Sequence, residues 1–467
     1  MYGALINFPL KIVKKHLRPD KRLIFPIYYW QYNKVKGADG ILKLIYIVID
    51  GLGDLPIKEL GDETPLGFAE TPNLDRLASK GKLGLMYTVG KGIAPESDVA
   101  VISILGYDPF KYHVGRGPIE VYGADLTMKD GDLALRCNFA TLGPNRVIID
   151  RRVGRSLTTE EASKLSEAIN REVHLESFPA EFEFKNTLGH RAVLVIRGKD
   201  LPLSADITNT DPAYERVEGM GVAKPEFKMV LKRCVPLKDT EEARRAAQLL
   251  NEFTEKSHEV LDRHEVNKRR EAEGKLKANV ILSRDAGDKV PRFFNINERY
   301  GVRFACLADM PVERGISRLA GMHLIDIPPP TKDIKADSDL RIRRLMEIYA
   351  SFDCFYIHIK GPDEPGHDGD FKRKAEIISQ IDEFFLGELL PRIDLKEALI
   401  CVTADHSTPC GLKAHSDDPV PLLIAGDNVK PDGIKKFSEK TCRKGSLGVL
   451  EHGTELIPLL MKIVKEA

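Results

Sequence analysis

Four short apolar runs stop at, or stand next to, turns that carry aspartate or histidine. "KLIYIVID" closes at Asp50, "CFYIHI" ends shortly before Asp363, "ALICVTAD" closes at Asp405, and "VPLLIAG" follows His415. Unbroken β-branched and aliphatic runs of this length predict strands of a parallel sheet buried on both faces. Segments of helical period lie between them. "TPNLDRLASKG" has Asp75 and Arg76 on a polar side with Gly81 as its terminator, and "FKRKAEIISQIDEFFLGELL" is a second such segment. Alternating strands and helices predict an α/β sandwich. Ligands of such sheets bind beyond the carboxyl ends of the strands. Three strands that close on or near an aspartate therefore point to one shared site.

The pattern changes from about Leu126 to Asn297. Shorter strand candidates appear there ("HRAVLVIRG", "FKMVLKR", "ANVILS"), with one long charged helix, "TEEARRAAQLLNEFTEKSHEVLDRHEV". That helix spaces Ala246, Leu249, Leu250, Phe253 and Leu261 along one side, which predicts packing on a sheet, with His258 and His264 at the surface. The simplest organisation inserts residues 126–297 as a second domain into a first made of residues 41–125 and 298–467. Residues 1–40 read as an N-terminal extension outside the main fold or as an upstream translation start.

Charge and cysteine usage narrow the function classes. Among 467 residues, Lys+Arg and Asp+Glu both number 70, so nothing electrostatic argues for nucleic acid or an anionic membrane as partner. The seven cysteines are scattered without a CxxC, which suggests reduced thiols and the cytoplasm. No apolar run approaches the ~20 residues of a membrane span. A small-molecule partner remains, and a homo-oligomer is left open.

The candidate chemistry clusters at the strand ends. "APESDVAVISILGYDP" puts Ser97 where a loop becomes a helix, a place that favours an anion. A serine there is commonly just a cap; it becomes a nucleophile only with a base or a metal beside it. "TADHSTP" offers Asp405 and His406, "PDEPGHDGD" offers Asp363 and His367 around a Pro-Gly turn, and "KAHSDDPVPLL" offers His415. Carboxylate and imidazole ligands suit Mn2+, Zn2+ or Co2+, and carboxylate-rich sites admit Mg2+.

Taken together, "VIDGLGD", "ETPNLDRLASKG", "APESD", "GPDEPGHDGD", "TADHSTP" and "AHSDDPVPLL" resemble the alkaline-phosphatase superfamily. "YHVGRGPIEVYGADL", "LRCNFATL" and "IIDRRVGRSL" narrow this: from about Leu42 onward the chain is similar to archaeal-type 2,3-bisphosphoglycerate-independent phosphoglycerate mutases. The resemblance implies an alkaline-phosphatase-like sandwich with a mostly parallel central sheet and an inserted smaller α/β lid domain. It implies interconversion of 3-phosphoglycerate and 2-phosphoglycerate, a step of glycolysis and gluconeogenesis, through phosphoserine at Ser97 and without 2,3-bisphosphoglycerate. It implies two divalent ions, Mn2+ first among them: Asp50, Ser97, Asp405 and His406 would hold one, and Asp363, His367 and His415 the other. Glu364 and Asp368 match no ligand position and are expected to face solvent.

For the substrate carboxylate and phosphate, the candidates are Arg151, Arg152, Arg155 and Arg284, with Asn138 and Arg136 behind them. Tyr122, His113 and Arg116 are further residues that could approach the site. The stretch "ACLADMPVERGISRLAGM" lacks the lysine of bacterial and plant enzymes of the same reaction, so Arg314 or Arg318 is expected to replace that cation. The alternatives are another metal-dependent phosphotransferase or phosphohydrolase of the superfamily (phosphopentomutase, phosphodiesterase, phosphonate hydrolase or homoserine-kinase-like) and a non-catalytic metal-binding protein.

Overall fold

The computed structural model describes residues 41–466 except 218, 219, 225 and 332; the extension expected over residues 1–40 lies outside the described residues. The apolar runs form an eight-stranded sheet. Its order is His323–Leu324, Phe304–Leu307, Cys354–Ile359, Lys43–Ile49, Ala398–Thr403, Val420–Ala425, Gly81–Met86 and Gly448–Leu450. Lys43–Ile49 runs parallel to both its neighbours, with Ile49 opposite Ile359 and Val48 opposite Thr403. That register brings three carboxyl ends to one rim. The three strands are buried along nearly their whole length, which is why they read as unbroken apolar runs.

Val420–Ala425 departs from the parallel expectation and runs antiparallel to both neighbours. A parallel neighbour needs a crossover, usually helical. Residues 404–419 contain no helix and are taken up by the site loop, so the chain turns straight back. Gly81 does not terminate the Pro72–Ala78 helix; it opens the Gly81–Met86 strand, where a Cβ would lie 2.5 Å from the Ile424 carbonyl oxygen.

The middle segment builds a second, wholly antiparallel sheet. Leu133–Leu142 pairs with Arg191–Gly198 and Val280–Gly287, and its end pairs with Ile148–Asp150; Ala180–Asn186 lies beyond Arg191–Gly198. Leu135, Cys137, Phe139 and Leu194 pack there with residues of the helices Thr159–Glu172 and Glu241–Asp262, in a core separate from that of the first sheet. "FKMVLKR" is not a strand: among the described residues only Val230 bridges, to Val147, while Leu231 and Met229 pack against Ile148 and Val280. The long charged helix breaks after Asp262, and His264 Nδ1 accepts from Val266 N to cap a new helix, Glu265–Ala272. His258 Nδ1 meets the Asn279 carbonyl oxygen at 2.6 Å. Both histidines are half-buried structural ties rather than the plain surface residues expected.

The helix Arg116–Gly123 belongs to both halves. Its Ile119 joins the first core, while Val121 and Ala124 pack with Val193 and Val195 of the second sheet. It crosses Pro311–Leu319 with the backbones in contact. A Cβ on Gly123 would fall 1.8 Å from Pro311 O, and one on Gly315 would fall 1.9 Å from Ile119 O. Among the described residues no helix is long and apolar enough to cross a membrane.

Candidate metal centre

Asp50 directly follows its strand, and Asp405 and His406 follow Thr403 by two and three residues. Their ligand atoms all lie within 4.8 Å of one another. His406 Nε2 is 3.4 Å from Asp50 Oδ1, 3.3 Å from Asp405 Oδ2 and 3.2 Å from Ser97 Oγ. Ser97 is the half-buried first residue of the helix Ser97–Ile104. Asp405 Oδ1 accepts from Gly51 N at 3.1 Å and His406 N at 3.0 Å, which fixes the carboxylate. Asp50 Oδ1 and Asp405 Oδ2 remain buried with no hydrogen-bond donor. Two orphaned carboxylate oxygens beside an imidazole nitrogen are costly unless a cation sits among them, so these residues fit a divalent ion.

The charges reinforce one another. Burial works against charge on Asp50, but the Lys360 ammonium and His406 outweigh it and hold the carboxyl well below the usual range. Burial, with the Asp50 charge adding to it, pushes Asp405 up to about 7. Burial also opposes charge on His406, yet Asp405, Asp50 and Asp363 raise it to about 9.

A second group adjoins the first. Asp363–Asp368 is a short helix rather than the broken turn expected, so the four-residue spacing sets Asp363 and His367 on one face. Asp363 Oδ1 lies 3.5 Å from His367 Nε2 and 3.4 Å from His415 Nε2, and the two Nε2 atoms are 3.2 Å apart. The Nδ1 atoms face backbone carbonyls, His367 that of Lys413 at 3.2 Å and His415 that of Pro95 at 2.8 Å. A carbonyl only accepts, so each Nδ1 carries its hydrogen, which leaves each Nε2 as the ring atom turned toward Asp363 and available to a metal. Two Nε2 atoms and a carboxylate oxygen within 3.5 Å of one another are a donor set that fits a divalent ion as well. Thr408 links the groups. Its hydroxyl donates to Asp363 Oδ1 at 2.7 Å and accepts from His406 Nδ1 at 3.0 Å, while the His406 and His415 rings stack at 3.8 Å. The fold thus brings Asp50, Ser97, Asp363, His367, Asp405, His406 and His415 into one place.

Several neighbours escaped the sequence reading. Lys360 Nζ contacts Asp50 Oδ2 at 3.2 Å and Glu313 Oε1 at 2.7 Å, a cation beside the site that comes from outside the stretch in which Arg314 or Arg318 was expected to supply one. Arg318 instead binds Asp125 and the Tyr122 carbonyl. Lys374 is wholly buried and donates to Gly53 O, Asp54 Oδ2 and Thr408 O at 2.8–3.0 Å, pinning the loops behind Asp50 and His406. The only sequence signal for Lys360 is its place just after a strand that closes on the site; for Lys374 there is none.

Most of the candidate substrate cations meet on the second sheet. Arg136 stands opposite Arg284 and Asn138 opposite Arg191, which places all four on one face. Arg284 Nη1 reaches Asp211 Oδ2 at 3.1 Å, and Arg151 grips the same carboxylate with both ends of its fork at 2.9 and 2.7 Å. Arg136 and Arg116 share Glu120 at 3.1 and 2.8 Å. Asn138 is buried there. Among the described residues Arg152 and Arg191 have no carboxylate partner, and burial lowers both pKa values, with neighbouring arginines adding to the effect. Arg155 is exposed and pairs with Glu364 at the rim of the second group; Glu364 and Asp368 face solvent, as expected. His113 Nε2 lies 2.8 Å from Asp98 Oδ2, next in sequence to Ser97, whereas the Tyr122 hydroxyl is turned to Met128 O.

Comparison with known proteins identifies the family. Residues 78–267 match the family model described as 2,3-bisphosphoglycerate-independent phosphoglycerate mutase. Proteins of that name from Aeropyrum pernix and Thermococcus kodakarensis are 44% and 38% identical; each alignment covers 91% of this chain, and 100% and 98% of the relative. The PH0037 protein of Pyrococcus horikoshii superposes with a TM-score of 0.73 at 32% identity, over 91% of this chain and 98% of its own. A cofactor-independent phosphoglycerate mutase from Thermoplasma acidophilum superposes at 0.57 and 33% identity, over 90% of this chain and 100% of its own. With such identity sustained over nearly the whole length of its relatives, the chain belongs to the 2,3-bisphosphoglycerate-independent phosphoglycerate mutase family.

Proposed function

We propose that this chain is an isomerase that interconverts 3-phosphoglycerate and 2-phosphoglycerate, with Ser97 as nucleophile and no phosphorylated cofactor. The observation that carries the reading is Ser97 Oγ, 3.2 Å from His406 Nε2 at a helix start beside the orphaned oxygens of Asp50 and Asp405. Asp50, Ser97, Asp405 and His406 would hold one divalent ion and Asp363, His367 and His415 a second, with Mn2+ as the ion proposed, since carboxylate oxygens suit it. When bound, these ions supply Lewis acidity that acidifies the serine hydroxyl and offsets phosphoryl charge.

The residues of the chain do the rest. Ser97 Oγ bonds to phosphorus as the bond to the substrate's 3-oxygen breaks, and the serine proton ends on the departing hydroxyl. The glycerate stays bound, turns, and attacks phosphoserine through its 2-oxygen, returning a proton to Ser97. The cycle consumes neither water nor cofactor. Arg152 and Arg191, which have no carboxylate partner among the described residues, would take the substrate's carboxylate and phosphate, with Arg284, Asn138, Arg151 and Arg155 as the further candidates. The lobe formed by residues 126–297 would act as a lid that excludes water while phosphoserine exists. Balanced charge and scattered thiols support a cytoplasmic enzyme of small molecules.

The test is an enolase-coupled assay with 3-phosphoglycerate and Mn2+, run beside free-phosphate release. Isomerisation that needs no 2,3-bisphosphoglycerate and stops on chelation is expected. Rapid phosphate release without isomerisation would make the chain a phosphohydrolase instead.

A further inference from the structure

Beneath the first metal group lies a charge that the reaction scheme leaves unused. The Lys360 side chain, 18% exposed, holds its Nζ 3.2 Å from Asp50 Oδ2 and 2.7 Å from Glu313 Oε1. Glu313 comes from the Pro311–Leu319 helix and is wholly buried, with its other oxygen unpaired. Beside them His358 Nδ1 meets the Tyr356 hydroxyl at 2.9 Å, and its Nε2 stands 3.5 Å from Glu313 Oε1 and 3.8 Å from Asp405 Oδ2. The ammonium therefore occupies the outer oxygen of Asp50 and leaves the buried, orphaned Oδ1 to the ion. A carboxylate already shared with an ammonium gives less charge to a metal, and a fixed positive charge nearby repels a divalent ion. Both effects loosen binding, and both leave the ion more electrophilic.

We propose that Lys360, pinned by Glu313, is a positioning residue that restricts Asp50 to one ligand oxygen and tunes the first ion to bind less tightly and to polarise the Ser97 hydroxyl more strongly. The proposal rests on the two-metal reading above. It differs in sign from a propping role: a lysine that only supported the Asp50 loop would weaken metal binding when removed.

The experiment titrates the full metal-stripped chain with Mn2+ alone by calorimetry, as wild type, Lys360→Met, Glu313→Gln and the double variant. Wild type should take up two Mn2+; uptake of none would remove the two-metal reading itself, whatever the variants do. Given two, Lys360→Met should bind the first-group ion about tenfold tighter or more, while kcat for 3-phosphoglycerate falls by about tenfold or more at saturating Mn2+. Glu313→Gln, which leaves the ammonium charge less offset, should bind that ion more weakly. The double variant loses one charge of each sign and should return to within a few-fold of wild type. It leaves no buried orphan carboxylate at position 313, so it also serves if Lys360→Met does not fold: adding Lys360→Met to Glu313→Gln must then tighten Mn2+ binding. Unchanged or weaker affinity on removing Lys360, in whichever background folds, would overturn the proposal.

Discussion

Ser97 and the residues around it make two predictions. Ser97→Ala removes the atom that would carry the phosphoryl group but spares Asp50, Asp405 and His406. Isomerisation should fall by at least about 10³-fold in the coupled assay while calorimetry still counts two Mn2+; near-normal turnover would reject Ser97 as nucleophile. The second concerns protons. With His406 raised to about 9, an ion entering the first group at pH 8 must displace the proton on that ring. Affinity should therefore rise by about tenfold per pH unit between 7 and 9 and level off above 9. Below 7 it should fall more steeply, because Asp405, at about 7, then holds a proton as well. Titrations in buffers of unlike ionisation enthalpy would count about one proton released at pH 8; a flat profile would contradict the charge arrangement. Asp50, Asp405 and His406 were legible because strand ends carried the residue types that metals bind. Glu313 was not, since a buried glutamate reads like any helical glutamate until Lys360, 47 positions away, folds against it.

The element Asp363–Asp368 looks like a turn because proline and glycine interrupt it, yet Pro365 falls in the first helical turn, where its missing N–H costs nothing. Gly366 is needed for another reason: a Cβ there would lie 2.5 Å from Thr408 O. Gly366→Ala should push this helix off the Thr408 loop and part Asp363 and His367 from His415. Mn2+ affinity of the second group should drop by about tenfold or more, with a loss of about 1–3 kcal/mol in denaturant unfolding and the first ion still bound. Equal retention of both ions would show that the loop simply yields. Strands were easier to read than their directions. Val420–Ala425 has the composition of a parallel strand, but direction follows from the connection, and residues 404–419 are spent on the site rather than on a crossover helix. The break at Asp262 was hidden for a similar reason: helical period continues on both sides, and the mark of the break is the His264 side chain, which accepts from Val266 N and caps the start of the second helix.

At the scale of the whole molecule two separate cores are joined through the Arg116–Gly123 helix, and among the described residues an ion pair between Arg155 and Glu364 ties the second lobe to the rim of the metal groups. The turn that presents Arg155 is tightly held. Asp150 Oδ1 accepts from Arg152 N at 2.7 Å and Gly154 N at 2.8 Å, and Val153 and Arg155 sit at φ +55° and +52°, a costly geometry for side-chain-bearing residues. A strained, anchored turn aimed at Glu364 has the form of a latch. On the proposed mechanism the lobes must stay together while phosphoserine exists, or water takes the phosphoryl group. Glu364→Gln should therefore leave Mn2+ binding intact but raise free-phosphate release relative to isomerisation. Both partners are largely exposed, and such pairs contribute about 0–1 kcal/mol, so the rise should not exceed about fivefold at low ionic strength. Screening should erase it near 1 M salt, where the Debye length is about 3 Å. A rise that persists at high salt would point to altered metal geometry at the neighbouring Asp363, and no rise at low salt would mean that the pair leaves closure unaffected.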